Sequence, residues 1–201
     1  MYSLSMPKIV DHEQRREAIA KAASKVIAHR GLEATKLTDI GREAGVTTGA
    51  IRHYFEDKEA VLIAALEYAF TGSVNRMLVQ AEHQPYQFDR VLMQVLPTDE
   101  EGRGMVSAWL IFWGRSLTEP RLAEHQIGVH NRWIELVQQQ LAIHCEQQGL
   151  ELKEPPLDVA EALTAQINGL MIRTLIAPDD WSALRLHKLL SDYLRQSGLM
   201  P

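Results

Sequence analysis

The sequence predicts an all-α fold of about nine helices, with a small N-terminal region and a larger C-terminal body. Apolar residues recur at the three- and four-residue spacing of a helix almost throughout, and no convincing segment alternates as a strand does. Proline and glycine divide this periodic sequence into segments of helical length. The chain has 201 residues, 46% of them hydrophobic and 23% charged, which is the composition of a soluble globular protein.

The first predicted helix extends from about Ile9 to Arg30, and Gly31 can end it in the left-handed conformation. Its apolar residues fall on one side, at helical spacing. We expect this side to cover the backs of the two short helices that follow. It consists of Ile19, Ala23, Val26 and Ile27.

A short second helix is predicted from about Lys36 to Ala44. We expect Thr35 to be its N-cap, because a threonine hydroxyl can accept a hydrogen bond from a free backbone N–H. Gly45 then supplies the left-handed residue that stops the helix. Val46 is expected to fill the angle between this helix and the next, as in a helix-turn-helix.

The third helix begins at Thr47 or Thr48, either of which can cap it, and buries Ala50, Ile51 and Phe55. Its other face carries hydroxyl, imidazole, phenol and guanidinium groups near a helix N-terminus, where partial positive charge favours phosphate. The second helix of such a pair reads base edges in the DNA major groove. With the start of the preceding helix, the predicted DNA-binding residues are Thr35, Lys36, Thr38, Thr47, Thr48, Gly49, Arg52, His53, Tyr54 and Lys58.

The remaining predicted helices form the body. Asp57 is expected to cap a long fourth helix, which ends near Gln84 and Pro85 and alone belongs to both regions. A short helix through Val91 comes next. A loop is predicted at 97–104, and further helices at 105–117, 120–148, 157–177 and 181–196.

Charge is distributed unevenly along the chain, whose net charge is −5. Residues 1–58 carry ten Lys or Arg against eight Asp or Glu, whereas residues 59–201 carry eleven against eighteen. A mildly basic head on an acidic body is expected when only one end of a protein meets phosphate. Because a charge of +2 supports only modest affinity, we expect two heads to act together.

Residues 8–70 resemble the TetR family of bacterial transcriptional repressors. The resemblance rests on a first helix that ends in HRGLEAT and on the run LTDIGREAGVTTGAIRHYFEDKEAVLIAAL. It implies a DNA-binding region at 1–58, an effector-binding and dimerisation region at 59–201, and a pseudo-palindromic operator. Arg52 departs from the family, which most often has an aromatic residue there. A guanidinium can read guanine or bind phosphate, so the operator sequence does not transfer by analogy.

The predicted helices 157–177 and 181–196 carry apolar residues on more than one face, and those of the second encircle much of its axis. One face can pack on the body, and a second face needs another partner. Burial in the core of a single chain is the alternative. We expect a homodimer whose four-helix interface consists of these two helices and their two-fold mates, as the resemblance also implies.

An aromatic cluster in the body is the predicted effector site. Large flat rings can be simple core, or they can form a pocket wall that holds an organic ligand or a quaternary ammonium group. The segments AWLIFWGRSLTEPRL and INGLMIRTLIA resemble the C-terminal domain of BetI-type repressors, which implies choline as the effector. The predicted effector-binding residues are Trp109, Phe112, Trp113, Trp133, Asn168 and Met171.

The sequence gives little indication of a metal site, a cofactor site or a catalytic site. Cys145 is the only cysteine, and His125 and His130 do not share a helix face as metal ligands would. Since no phosphate loop or nucleophile elbow occurs, we expect no cofactor, no metal and no enzyme activity. No signal peptide is visible and the apolar runs are too short to cross a bilayer, so a cytoplasmic protein is expected.

We therefore predict a homodimeric transcriptional repressor that a small-molecule effector releases from DNA. Within the same class, the alternatives are an activator or a ligand-independent regulator whose aromatic cluster is solid core. From another class, a helical enzyme or carrier that binds a ligand in the body is the alternative. Failure to bind any DNA would favour that last hypothesis.

Overall fold

In a computed structural model, residues 9–200 are described, with side chains from His12 onward. Over this range the chain forms nine α-helices, one 3₁₀ turn at Pro178–Asp180 and no strand, which confirms the predicted all-α class. Residues 1–8 and 201, at the ends of the two predicted regions, lie outside the described residues. The helices are α1 (Ile9–Arg30), α2 (Leu37–Ala44), α3 (Thr48–Tyr54), α4 (Lys58–Ala81), α5 (Phe88–Met93), α6 (Glu100–Ser116), α7 (Pro120–Gln148), α8 (Pro156–Ile176) and α9 (Ala183–Gln196).

The head contains α1, α2, α3 and the first half of α4. The predicted apolar face of α1 is buried, and α1 packs on both α2 and α3. Their apolar backs meet the start of α4 in one continuous cluster. The centre of this head cluster consists of Ile19, Ala23, Ile27, Ile40, Ile51, Phe55, Val61 and Leu66.

Local capping defines most of the helix ends in the head. Gly45 is left-handed at φ 67° and ends α2 as predicted. Thr47 caps α3 through a hydrogen bond that its hydroxyl accepts from Ala50 N at 3.1 Å. Asp57 caps α4 in the same way, with Ala60 N as donor at 2.7 Å.

The predicted cap of α2 is wrong. Thr35 is fully buried, and its hydroxyl donates to Gly31 O at 2.6 Å rather than accepting from α2. Lys36 occupies the N-cap position without a side-chain hydrogen bond. Thr35 faces inward because the chain turns from α1 to α2 at this point, so its hydroxyl bonds to a carbonyl in that turn.

The predicted loop at 97–104 is also shorter in the structure, because α6 begins at Glu100. Asp99 caps α6 by accepting from Gly102 N at 2.6 Å. Arg76 of α4 donates to both carboxylate oxygens of Asp99 at 3.1 Å and to Gln94 O at 2.7 Å. A Cβ on Gly102 would lie 2.8 Å from Arg76 Nη2, so a larger residue here would displace the guanidinium of this arginine. Composition alone indicated a loop because the ion pair that supports this helix start joins residues 23 positions apart in the chain.

More than one helix connects the head with the body, since α6 and α7 both contribute residues to the head cluster. The expectation that α4 alone belongs to both is wrong, because α6 packs on α1 and α4 as well as on α7 and α8. Met105, Ala108 and Phe112 of α6 belong to the head cluster. Val106, on the same helix, belongs to the body cluster, which the inner faces of α5, α7, α8 and α9 complete.

The outer faces of α8 and α9 differ from each other. Leu186, Leu190 and Leu194 of α9 are fully buried in the body, while its outer face carries an ion-paired lysine, aspartate and arginine. Of the other apolar residues of α9, Leu184 is 80% exposed, and Leu189 and Tyr193 are half-buried, so part of the expected second apolar face remains. Alternate three- and four-residue spacing places a stripe of small and apolar residues on α8, consisting of Ala162, Ala165, Gly169, Ile172 and Ile176.

None of the described helices is long and apolar enough to cross a membrane.

Candidate nucleic-acid interface and ligand cavity

The turn between α2 and α3 sets the angle of the predicted reading helix. Val46 N donates to Gly41 O at 2.9 Å, which closes the turn behind Gly45. A Cβ on Gly41 would lie 2.7 Å from Val46 O, so only glycine permits this approach of the two backbones. Ile51 is almost fully buried against α1 and α4, which turns the opposite face of α3 outward.

Most of the predicted DNA-binding residues lie on that outward surface. Thr48 and Tyr54 are half-buried, and Thr35 is the one predicted residue whose side chain is buried. Thr35 is thus unable to offer its hydroxyl to DNA, because that hydroxyl already donates to Gly31 O. The exposed members of the set are Lys36, Thr38, Thr47, Gly49, Arg52, His53 and Lys58.

The lysines and the arginine of this surface have no acidic partner among the described residues, unlike other arginines of the head. Arg52, Lys36 and Lys58 form no ion pair with other described residues. Elsewhere in the head, by contrast, Arg30 and Arg42 both approach Asp39, at 3.1 and 3.5 Å. The outward surface of the helix-turn-helix, here called the reading surface, thus carries three positive charges that no described acidic residue neutralises. Such charges are available for contact with phosphate.

A cavity in the body lies between α4, α6, α7 and α8. Its volume is about 60 Å³, which is several times the volume that one water molecule needs. Four of the six predicted effector-binding residues line it, namely Trp109, Trp133, Asn168 and Met171.

The other two predicted effector residues lie outside the cavity. Phe112 is almost fully buried in the head cluster, and Trp113 lies beside Trp109, with ring centroids 4.5 Å apart. The α6 residues that line the cavity are confined to Met105, Val106 and Trp109. Phe112 and Trp113 lie on the next turn of α6, beyond the end of the cavity. Residues at helical spacing from Trp109 therefore do not line the same cavity.

Several lining residues were missed from the sequence. Phe70 and Ser73 come from α4, and His130 and Thr164 come from α7 and α8. Their positions in the sequence give no signal, because each is a single polar or aromatic residue on a long helix. They meet only once the four helices are packed together.

The cavity is mainly apolar, and three of its lining residues carry large aromatic rings. Among its described lining residues none is Lys, Arg, Asp or Glu. Trp133 Nε1 donates to Thr164 Oγ1 at 3.0 Å, which holds one indole ring against α8. The guanidinium of Arg132 lies 4.9 Å from the Phe70 ring centroid and is paired with Glu67 at 2.6 Å. Such a site suits an apolar molecule or a cation of diffuse charge.

Two histidines of α7 lie beside carboxylates. His125 Nε2 lies 2.7 Å from Glu67, and His130 Nε2 lies 3.6 Å from Glu161. Within residues 12–200, no group of three or more His, Cys, Asp or Glu is arranged to hold a metal ion.

Two protein families match the chain, one at each end. Residues 19–65 match the bacterial regulatory proteins of the tetR family. Residues 87–198, more than half of the chain, match the C-terminal region of BetI-type transcriptional repressors. The chain belongs to the TetR family. Members of this family are transcriptional regulators that bind operator DNA and dimerise, so the predicted class of function is confirmed, and the matches are to regulators rather than enzymes.

Individual relatives of this TetR-family repressor agree with that assignment. The transcriptional regulator PksA of Bacillus subtilis (strain 168) is 28% identical, over 86% of this chain and 84% of its own length. The transcriptional regulator BetI of Vibrio parahaemolyticus is 26% identical, over 94% of both chains. A transcriptional regulator from Saccharomonospora viridis, crystallised in complex with choline, superimposes with a TM-score of 0.76 at 24% identity, covering 91% of this chain and 96% of that one.

Proposed function

We propose that this TetR-family repressor binds a pseudo-palindromic operator as a homodimer and leaves it when a small quaternary ammonium compound, such as choline, enters the body. The observation that carries the proposal is the cavity walled by Phe70, Trp109 and Trp133. Aromatic rings in a cavity lined by no Lys, Arg, Asp or Glu can attract a bulky organic cation. The choline complex of the Saccharomonospora viridis regulator and the BetI relatives support the same class of ligand.

The reading surface of α2 and α3 is proposed as the operator contact. Thr47, Thr48 and Gly49 lie at the N-terminal end of α3, which is the end that faces base edges in a helix-turn-helix. Arg52 and His53 follow on the outward side, and Lys36, Thr38, Tyr54 and Lys58 flank it. Hydroxyl and amine groups at such flanks serve as phosphate contacts, which position the protein on the duplex.

The dimer is proposed to form through α8, with a smaller part of α9. The stripe on α8 includes Ala162, Ala165 and Gly169, whose small side chains permit close approach of a second helix. Ile176, at the C-terminal end of the stripe, is 72% exposed, and Leu184 of α9 is 80% exposed. Large exposed apolar residues beside a small-residue stripe support a two-fold interface.

We also propose that the chain divides into two functional regions between residues 58 and 59. Residues 1–58 would bind DNA and residues 59–201 would bind the effector and the second copy. The cavity draws Phe70 and Ser73 from α4 and Met105 from α6, and both of these helices also pack in the head cluster. A ligand that favours one arrangement of these helices can shift the spacing of the two heads. The required coupling is roughly 1–3 kcal/mol.

The test combines ligand binding with operator release. Operator fragments are first selected from the source genome, and choline is then titrated against the free protein and the complex. We expect tryptophan fluorescence to change and the operator to be released over the same choline range. Trp133→Phe should weaken both responses, because Trp133 lines the cavity, whereas Trp181→Phe should leave both intact. Operator binding without any response to choline would favour the ligand-independent regulator.

A further inference from the structure

The C-terminal end of the reading helix receives support from outside the helix-turn-helix. Helix α3 has only seven residues, which is too short for stability on its own. Phe55 N donates to Ile51 O at 3.0 Å, while Tyr54 O is left free by the helix itself. Arg16 of α1, 38 residues earlier in the chain, donates from Nη1 to that carbonyl.

Arg16 makes a second contact at the same place. Its guanidinium lies 4.4 Å from the ring centroid of Phe55, a residue that is only 4% exposed. One planar group is therefore held by a hydrogen bond in its plane and by an aromatic ring against its face. Positive charge at this position also stabilises the helix, because the C-terminal end carries the negative end of the helix dipole.

One turn earlier on α1, His12 contacts the outer side of the same helix end. Its ring centroid lies 4.8 Å from that of Tyr54 and 6.4 Å from that of His53. His12 and Arg16 thus contact the reading helix at two points, one at the ring of Tyr54 and one at its backbone carbonyl. Both Tyr54 and His53 are residues of the proposed DNA contact.

We propose that Arg16 is a positioning residue for operator recognition, setting the angle at which α3 enters the major groove. The proposal rests on the proposed function of α3 as the reading helix. Base contacts need donors placed correctly against base edges, whereas non-specific attachment to phosphates tolerates a tilted helix. Loss of Arg16 should therefore reduce discrimination between operator and other DNA, and not attachment to DNA as such.

Two substitutions separate the possible roles of this arginine. Arg16→Met keeps an unbranched apolar stem but removes the donor and the charge, and Arg16→Lys keeps the charge but loses the planar group. We expect both to weaken operator binding by about tenfold, comparable to the loss of one base contact, while binding to an unrelated duplex changes little. Lys21→Met is the matched control, because Lys21 is exposed on α1 and has no ion pair with another described residue.

The measurement is fluorescence anisotropy with operator and unrelated duplexes of equal length, over a series of salt concentrations. The ratio of the two affinities is the decisive quantity, since partial unfolding of a variant lowers both affinities equally and leaves their ratio unchanged. A fall in this ratio for both Arg16 variants, with an unchanged salt slope, supports the proposal.

Other outcomes overturn it. If Arg16→Met lowers both affinities equally and reduces the salt slope by about one per head, Arg16 is a phosphate contact instead. If the ratio stays at the wild-type value in both variants, Arg16 has no positioning role. A wild-type protein that fails to discriminate at all would instead contradict the proposed function of α3, which separates that failure from the failure of this inference.

Discussion

Asp99 has two roles at the start of α6, and only one of them is local. It caps the helix through Gly102 N, and it pairs with Arg76, which lies 23 residues earlier on α4. The cap orders the first turn of α6, while the ion pair attaches that turn to α4. Substitutions at this one residue can separate the two contributions.

We expect Asp99→Ala to lower the free energy of unfolding by about 1–2 kcal/mol, because it removes both the cap and the ion pair. Asp99→Asn should cost less, since asparagine is also a good N-cap residue and only the ion pair is lost. Urea denaturation at a fixed protomer concentration measures both values. Equal losses in the two variants would mean that the charge, and not the cap, accounts for the stabilisation.

The same carboxylate, together with Asp57, makes stability depend on acid. A backbone hydrogen bond from Gly102 and then the charge of Arg76 lower the pKa of Asp99 below its usual 3.8. A hydrogen bond from Ala60 and then contacts with Arg121 lower the pKa of Asp57 in the same direction. Groups with a lowered folded pKa stabilise the fold above their unfolded pKa, and this contribution is lost as the pH falls through the folded value.

We therefore expect the wild-type protein to lose stability as the pH falls below about 4, in part through these two caps. The variant that carries both Asp57→Asn and Asp99→Asn should lose less over the same interval, because its caps cannot be protonated. Unfolding free energies measured between pH 5 and pH 3 test this difference. Parallel curves for the two proteins would contradict the assigned role of the caps.

At the scale of the element, α6 contributes residues both to the head and to the wall of the cavity. Its residues Ala108 and Phe112 are buried in the head, while Val106 and Trp109 line the cavity. Met105 does both, and its side chain lies against Gly72 of α4. The contact between Met105 and Gly72 is thus a point at which the cavity can be altered without touching the reading surface.

We expect Gly72→Ala to weaken choline binding while leaving operator affinity without choline nearly unchanged. A Cβ on Gly72 would lie 2.6 Å from the terminal methyl group of Met105, and this flexible end can move into the cavity. Isothermal titration with choline and anisotropy with operator DNA measure the two affinities. Gly114→Ala on α6 is the matched control, because a Cβ there meets nothing within 4 Å.

At the scale of the whole molecule, operator binding depends on the proposed dimer. We expect Gly169→Glu to give a folded monomer, because a Cβ on Gly169 meets nothing within 4 Å in the protomer, while the glutamate would bring charge into the proposed α8 interface. Operator affinity should fall about 100-fold or more when the two heads are no longer linked. Sedimentation equilibrium and anisotropy measure the two effects.

Gly128→Glu on α7 is the control for this variant. Gly128 is equally free of neighbours within 4 Å, and it lies on an exposed part of a different helix. A dimeric Gly169→Glu protein with normal operator affinity would contradict the proposed interface. The same result in both glycine variants would indicate a general effect of added charge.

The sequence by itself determined the helices and most of their ends. Gly45, Thr47 and Asp57 end or begin helices where predicted, because each acts through hydrogen bonds to backbone groups within a few residues. The family and the class of function were also readable, since the two short helices of the reading motif are contiguous in the chain. Such local interactions need no knowledge of the rest of the fold.

Only the tertiary structure decided which side chains meet. The inward position of Thr35, the early start of α6 and the contact between Arg16 and Tyr54 depend on how separate helices pack, as does the choice of Trp109 over Phe112 as cavity wall. Helical spacing predicts which residues share a side of one helix, but it does not predict which residues of another helix pack against that side. That is set by the packing of residues tens of positions apart, and the cavity and the support of the reading helix both follow from it.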